Sequence, residues 1–403
     1  MNRIYDVIII GGGASGMMAA VKAAERNLKV LLLDKNQMLG RKLLASGNGR
    51  CNILNHGIQR YYGDSCFADS VLKRCTPEML IDFFNHYGLM LTEEADGRMY
   101  PLTYQSTSVV AALKKALLMN HIDYAVCTAV QSVNTDHKSF TVSTNDNERI
   151  TAQSLVIACG GCVQPKLGGS QDGYAFLRQL GHSIVPVFPS LVPLVTDPKS
   201  ISGLAGIRVR CAVSVTEQEN ILYKTSGELL FTQYGISGIC VMQCSRYITC
   251  DHMTIEIDFF QDLFPDEGEA IQELKRRRSL FRNETPVSLL EGIVVDHIAY
   301  AVLKQAGIPL RGEKAADISD DDLKRIVHKA RRYQITVKDN KGIDFAQVTA
   351  GGADCREFNP LTMESLILPG LYAVGEVLNV DGDCGGYNLM FAFATGYIAG
   401  ESC

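Results

Sequence analysis

Ile8-Ile9-Ile10-Gly11-Gly12-Gly13-Ala14-Ser15-Gly16 decides the fold of this chain. An apolar run from Val7 to Ile10 stops at a glycine cluster, and an alanine-rich segment from Ala14 to Ala24 follows. The pattern predicts strand, tight turn and helix, with Gly11, Gly13 and Gly16 spaced as G-x-G-x-x-G across the turn. Each glycine has a separate task. Gly11 permits the turn, Gly13 lets the backbone approach a pyrophosphate, and Gly16 lets the helix pack closely on the strand. The first helical turn, including Ala14 and Ser15, offers unpaired N–H groups and a positive dipole end to phosphates.

The flanking residues turn a weak motif into a strong one. Lys29 to Leu33 reads as a second strand, and Asp34 follows it 18 residues beyond Gly16. That spacing suits a carboxylate accepting the hydroxyls of an adenosine ribose, with Lys35 beside it. The expected fold class is therefore α/β, with a Rossmann-like dinucleotide-binding domain. Gly40 to Asn52 is rich in small, polar and basic residues and has no period. A glycine-rich loop carrying Arg41, Lys42 and Arg50 can wrap an anionic cofactor with backbone N–H groups and cations.

Helices are expected from Thr76 to Tyr87 and from Ser106 to Asn120. A β-meander follows over 125–133, 140–143 and 149–151, leading into a buried strand at Leu155–Gly161. Gly160, at that strand's end, is expected near the AMP half of a ligand. Cys159-Gly160-Gly161-Cys162 is formally a C-x-x-C, but it stands at the adenine end, so buried cysteines are expected rather than a dithiol. After Pro186, Pro189 and Pro193 the chain alternates, as in Ile207 to Val215 and Thr254 to Phe259, which predicts a small barrel or curled sheet. Residues from Pro265 to about Arg332 then read as helical. The expected domains are 1–189 with 341–403 for cofactor binding, an inserted barrel over 190–262 and a helical cap over 263–340.

The end of the chain is a second dense stretch. Leu371 to Glu376 reads as a strand ending in Gly375 and an acid, Asp381 to Asn388 as a glycine-rich loop, and Leu389 to Ala399 as an apolar helix. Two strand–loop–helix ends in one chain suggest one ligand held between them. An adenine dinucleotide carrying an isoalloxazine ring fits: the first motif takes the ADP half and the last takes the ribityl and flavin half.

Composition narrows the function classes. The net charge of −5 over 403 residues argues against nucleic acid as main partner, and Lys275–Arg278 reads as the solvated end of a helix. Met1 leads directly into the first strand, so no signal peptide is expected, and no apolar run reaches about 18 residues. Thirteen cysteines without a scaffold rhythm suggest free thiols in a reducing cytoplasm. His297 reads as a helix-packing histidine, and no metal-ligand spacing stands out.

Taken together, Gly11–Gly16, the Gly40–Asn52 loop, Leu229-Phe231-Thr232 with Gly235-Ile236-Ser237-Gly238, and Gly370–Asn388 resemble the BaiN-like flavoproteins, also called the aminoacetone oxidase family. The resemblance runs from the first strand to the last helix. It implies a glutathione-reductase-type FAD domain with an inserted β-barrel and a helical cap, holding FAD non-covalently. Asp34 would meet the ribose. Arg41, Lys42, Ser46, Gly47, Asn48 and Arg50 would run along the cofactor, and Val130 would meet the adenine. Gly375, Glu376, Asp383, Asn388 and Leu389 would hold the ribityl and flavin portion. Four positions depart from the family pattern: Asn48 for glycine, Asn379 for aspartate, and the pair Met390-Phe391 for Gln-Trp. The last three are expected near the flavin, where they would alter the substrate.

The expected function is an FAD-dependent oxidoreductase working by hydride chemistry at flavin N5 on a small organic substrate. The resemblance implies reduction of an enone C=C, such as that of a 3-oxo bile-acid-type steroid, with NADH or NADPH as candidate donor. Tyr387, beside the flavin loop, is the candidate proton donor. The alternatives are an oxidase of a small, aminoacetone-like amine that passes electrons to O2, and a flavoprotein acting on RNA. Sequence leaves the oligomeric state open.

Overall fold

The computed structural model describes residues 3–57, 60–94, 96–217, 220–248 and 253–403. The chain divides into two compact units, Met1–Pro189 with Ala346–Cys403, and Ser190–Phe345.

In the first unit, a seven-stranded sheet is built outward from the first strand, Arg3–Ile10. Parallel neighbours are Val30–Leu33 on one side and Arg149–Ile157 on the other, with Asp123–Ala125 and Leu371–Ala373 extending the parallel part. Phe140–Thr144 and Val130–Thr135 complete it as an antiparallel pair. Val7 to Ile10 and Val30 to Leu33 are buried, as expected of a parallel sheet covered on both faces. The meander expected from sequence is present, but its third segment and the following buried run are one continuous strand, Arg149–Ile157. Pairing with Ile4 through Ile10 holds the polar middle of that strand in register with its apolar end.

The first helix, Ala14–Ala24, and the last, Tyr387–Ser402, pack together in the core of this unit. Small residues set their separation. A Cβ on Gly396 would lie 2.3 Å from the Ser15 carbonyl oxygen, and one on Gly400 2.5 Å from that of Ala19. Met390, Phe391, Phe393 and Ala394 are buried, so the last helix is apolar around most of its girth.

The second unit contains a closed barrel of Leu194–Thr196, Gly235–Ser237, Asn220–Phe231, Arg208–Glu217, Thr254–Asp258 and Tyr333–Asn340. The last of these lies beyond the helical reading that ends near Arg332, but within the 263–340 range assigned to the cap. Tyr333, Ile335 and Val337 are buried while Gln334, Thr336 and Lys338 are exposed, the period of a strand that closes the barrel. Arg208 and Arg210 point outward as expected, but Ala212 and Ser214 are buried as well. Helices Glu267–Leu280, Asp296–Gln305 and Asp320–Arg331 lie between the fifth and sixth barrel strands in sequence. The basic run is engaged: Arg276 and Arg277 pair with Glu273, and Lys275 and Arg278 pair with Asp320. His297 is exposed rather than packed.

Candidate functional site

The glycine turn forms as its spacing requires. Gly11 has φ +113°, and a Cβ there would lie 2.2 Å from the Ala158 carbonyl oxygen. A Cβ on Gly16 would lie 1.8 Å from the Gly11 carbonyl oxygen, so helix and turn are in direct contact. At Gly13, by contrast, no described atom lies within 4 Å of a Cβ, which leaves the turn open on its ligand side. Met17 N–H makes the first helical bond, to the Gly13 carbonyl, so the N–H groups of Ala14, Ser15 and Gly16 belong to the open helix start. The Ser15 side chain itself is buried and faces the other end of the site, its hydroxyl 3.5 Å from the Val374 carbonyl.

Asp34 is buried and fixed on both oxygens. Oδ2 accepts from Gly12 N–H at 2.7 Å, and Oδ1 accepts from the backbone and side-chain nitrogens of Asn36 at 2.7 and 2.9 Å. An ionised carboxylate has about four acceptor positions, so one remains for a ligand hydroxyl. A hollow at this end is lined by Gly11, Asp34, Lys35, Val130 and Cys159 among others, bringing four sequence-predicted residues together. Lys35 pairs with Asp172 at its rim, 2.7 Å away. The Cys159 thiol contacts the Ile10 carbonyl at 3.5 Å, and burial pushes it up to about 12. Both Cys159 and Cys162 are free thiols. Cys159 is therefore a poor source of thiolate, in keeping with a packing role.

The Gly40–Asn52 loop lies alongside. Gly40 N–H donates to the Gly12 carbonyl at 2.9 Å and tethers the short helix Arg41–Ala45 to the glycine turn. Gly47, Asn48 and Gly49 all have left-handed backbones, with φ of 55°, 54° and 83°. Asn48 thus replaces the glycine expected there with the residue type that tolerates this region best. Ser46 turns its hydroxyl inward onto the Leu43 carbonyl. Arg50 is engaged by protein partners. Its guanidinium pairs with Glu94 and sits 4.5 and 4.6 Å from the ring centroids of Tyr100 and Tyr104, an anchor for the loop. Arg41 is exposed at the start of its helix.

The far end is assembled from distant parts of the chain. Gly375 packs on Ser15, where a Cβ would lie 2.6 Å from the hydroxyl oxygen, and its N–H donates to Thr395 Oγ1. Lys42 Nζ reaches Glu376 Oε2 at 2.7 Å, so two predicted cofactor residues are partners of each other. The Asn388 side chain clamps its own loop, accepting from Gly382 N–H and donating to the Gly382 carbonyl, both at 2.8 Å. Buried Asp383 accepts from the Tyr62 hydroxyl at 2.9 Å. Asn55 donates to the Gly385 carbonyl at 2.7 Å. Leu389 is half-buried in the first turn of the last helix.

Asn52, Asn55, Tyr62 and Thr349 belong to this end and were not among the residues expected from sequence. Asn52 is the most telling. Its Oδ1 is buried against the Gly386 turn and finds no hydrogen-bond partner among the described residues, a costly state unless a donor arrives. Only its place in an odd loop could have flagged it. Tyr387 opens the last helix with its ring edge-on to Tyr61, centroids 6.1 Å apart. Burial and the nearby Asp383 raise its phenol above the ordinary value, so it stays protonated.

Two departures from the expected pattern have identifiable surroundings in the fold. Met390 and Phe391 are core residues. Asn379 donates its amide to Asp64 Oδ2 at 2.9 Å, where an aspartate would oppose a like charge.

A family model described as the HI0933-like protein Rossmann domain matches residues 5–402. The chain belongs to the HI0933-like family. It is an FAD-dependent oxidoreductase. It is 34% identical to the 3-dehydro-bile acid delta(4,6)-reductase of Clostridium scindens, covering 100% of this chain and 99% of that one. It is 30% identical to the ribosomal RNA dihydrouridine synthase of Escherichia coli, over 98% and 97% of the two chains. Among solved structures, the 3-ketosteroid-delta4-(5alpha)-dehydrogenase of Rhodococcus jostii RHA1 superposes with a TM-score of 0.51 at 15% identity, over 99% of this chain and 96% of that one, a likeness of fold. Among the described residues, no cluster of metal-ligating side chains is present and no helix is long and apolar enough to cross a membrane.

Proposed function

We propose that this enzyme reduces the C=C bond of an α,β-unsaturated carbonyl compound, taking its electrons from NADH or NADPH through FAD. One observation carries the reading. The chain is similar along its whole length to two enzymes whose names describe saturation of a C=C bond in different molecules. A Δ4 3-oxo steroid and a uracil ring share a C=C conjugated to a carbonyl, so one hydride and one proton complete either reduction.

The residues fit FAD. The open cradle at Gly13 and the N–H groups of Ala14, Ser15 and Gly16 would hold the diphosphate, and Asp34 the ribose, with Val130 beside the adenine. The orphan Oδ1 of Asn52 would accept an N–H from the ring edge. The start of the last helix would favour negative charge on the reduced ring, with Asn388 and Asp383 holding the preceding loop in shape. When bound, the flavin supplies two-electron hydride transfer. Tyr387 would supply the proton to the carbon beside the carbonyl, and its raised phenol keeps that proton available at neutral pH.

A small enone is the preferred substrate, because Lys275 to Arg278, the basic run with the charge to read phosphates, is occupied by Glu273 and Asp320. RNA is the second reading, favoured by the 30% identity to the dihydrouridine synthase. An anaerobic titration separates them. NADH or NADPH should bleach the flavin, and a 3-oxo-4,6-diene steroid should restore its colour, while uridine-rich RNA should not. Recolouring by RNA alone would replace the first reading with the second, and bleaching only by an amine would make the protein an oxidase. Tyr387→Phe should slow the recolouring step and leave bleaching unchanged; equal rates would remove the phenol from the mechanism.

A further inference from the structure

The Lys42–Glu376 pair is built differently from an ordinary surface ion pair, which is worth little because both partners are mobile and solvated. Lys42 and Glu376 have side chains 30% and 19% exposed, and they lie 334 residues apart in sequence. Glu376 uses its second oxygen, Oε1, to accept from Thr349 N–H at 2.8 Å. Thr349 Oγ1 in turn accepts from the N–H groups of Cys162 and Val163 at 2.9 and 3.3 Å. Gly161 makes room for this chain: a Cβ there would lie 2.2 Å from Thr349 Oγ1 and 2.4 Å from Glu376 Oε1. The carboxylate is therefore fixed before the lysine reaches it.

The position of the pair follows from its neighbours. Two residues before Lys42, Gly40 is bonded to Gly12 in the glycine turn. One residue before Glu376, Gly375 lies against Ser15 in the first helical turn. The bridge thus spans the start of the first helix and connects the two ends of the site. We infer that Lys42 and Glu376 form a cofactor-retaining brace, in which Glu376 holds the lysine ammonium over the helix start and the closed bridge limits escape of the anionic cofactor. The inference rests on the FAD reading given above.

The brace and a simple charge effect predict opposite signs. If Glu376 were only a negative charge near a diphosphate, Glu376→Gln would slow FAD release. The brace predicts release faster by about tenfold, the scale of one charge-assisted hydrogen bond. Lys42→Met should release FAD as fast, and the double variant no faster than either single one, because all three break one bridge. Release is read as visible absorbance retained on the protein during timed ultrafiltration of the holoenzyme. Should Glu376→Gln fail to fold, Glu376→Asp keeps the charge but shortens the reach; faster release supports the brace, and an unchanged rate overturns it. Slower release from Glu376→Gln, or multiplying effects in the double variant, also overturns it. Wild-type protein that binds no FAD would instead remove the cofactor reading itself, so the two failures are distinguishable.

Discussion

The two ends of the site are made in opposite ways. The first, from Ile8 to Asp34, is nearly all backbone: Gly11, Gly12 and Gly16 with no room for a Cβ, three open N–H groups and one carboxylate held by Gly12 and Asn36. Its parts lie within about one βαβ unit, and local spacing suffices to build it. The second, around Gly375 to Asn388, depends on side chains from elsewhere, including Asn52, Asn55, Tyr62 and Thr395. The first end should therefore break through a single added side chain. The second should weaken by degrees as individual braces are removed.

The largest effect is expected at Gly16. Gly16→Val forces a side chain into the Gly11 carbonyl and should cost about 4 kcal/mol or more, seen as a lowered midpoint in urea denaturation and loss of bound flavin. A variant with wild-type stability would show that the turn can move, and the contrast between the ends would fail. Phe393→Ala tests the helix common to both, since Phe393 is fully buried; a loss of about 3–5 kcal/mol is expected in the same assay. Asp34→Ala leaves Gly12 N–H without its acceptor and should weaken FAD binding by about ten- to a hundredfold in an equilibrium titration. Asn388→Ala removes the clamp on Gly382 but leaves the first end intact. About tenfold weaker FAD binding with little change in overall stability would sharpen the contrast.

The smallest effect concerns acid. Residues 359–370 lead into the strand Leu371–Ala373 that delivers the second end, and a buried clip holds them. His182 Nδ1–H donates to Glu357 at 2.9 Å, and its Nε2 accepts from the Ser365 hydroxyl at 3.0 Å. Ser365 Oγ meanwhile accepts from the N–H groups of Ile367 and Leu368, which fixes the neutral tautomer. Burial lowers His182 below its ordinary 6.5 and outweighs the pull of Glu357. Burial alone would raise Glu357, but hydrogen bonds from Ser183 and His182 hold it below 4.5. The unfolded chain thus binds more protons than the folded one, so the clip's contribution is complete above pH 6.5. The His182 part is lost as pH falls from there through its folded value, and the Glu357 part as pH falls below 4.5. Denaturation midpoints should fall across the upper window, and His182→Gln should flatten that fall. An equally steep fall in the variant would assign the pH dependence to other groups.

Sequence alone determined the first end almost completely, because glycine spacing, strand hydrophobicity and the position of Asp34 act over short distances. It also indicated the second glycine loop and the barrel. Other features needed the fold. Tyr333–Asn340 pairs with strands far away in sequence, and its alternation was hidden by the helices before it. The partners of Arg50, Glu94 with Tyr100 and Tyr104, come together only in the fold. That Met390 and Phe391 are buried, with the Phe391 ring 6.0 Å from that of Tyr61, also emerges only from the packing of the last helix. Lys42 and Glu376 were each visible as candidates, but their partnership depends on Gly375 lying against Ser15 and on Thr349 holding the carboxylate. Residue chemistry and local period are written in the sequence. Which distant residue satisfies each hydrogen bond or charge is decided only when the chain has folded.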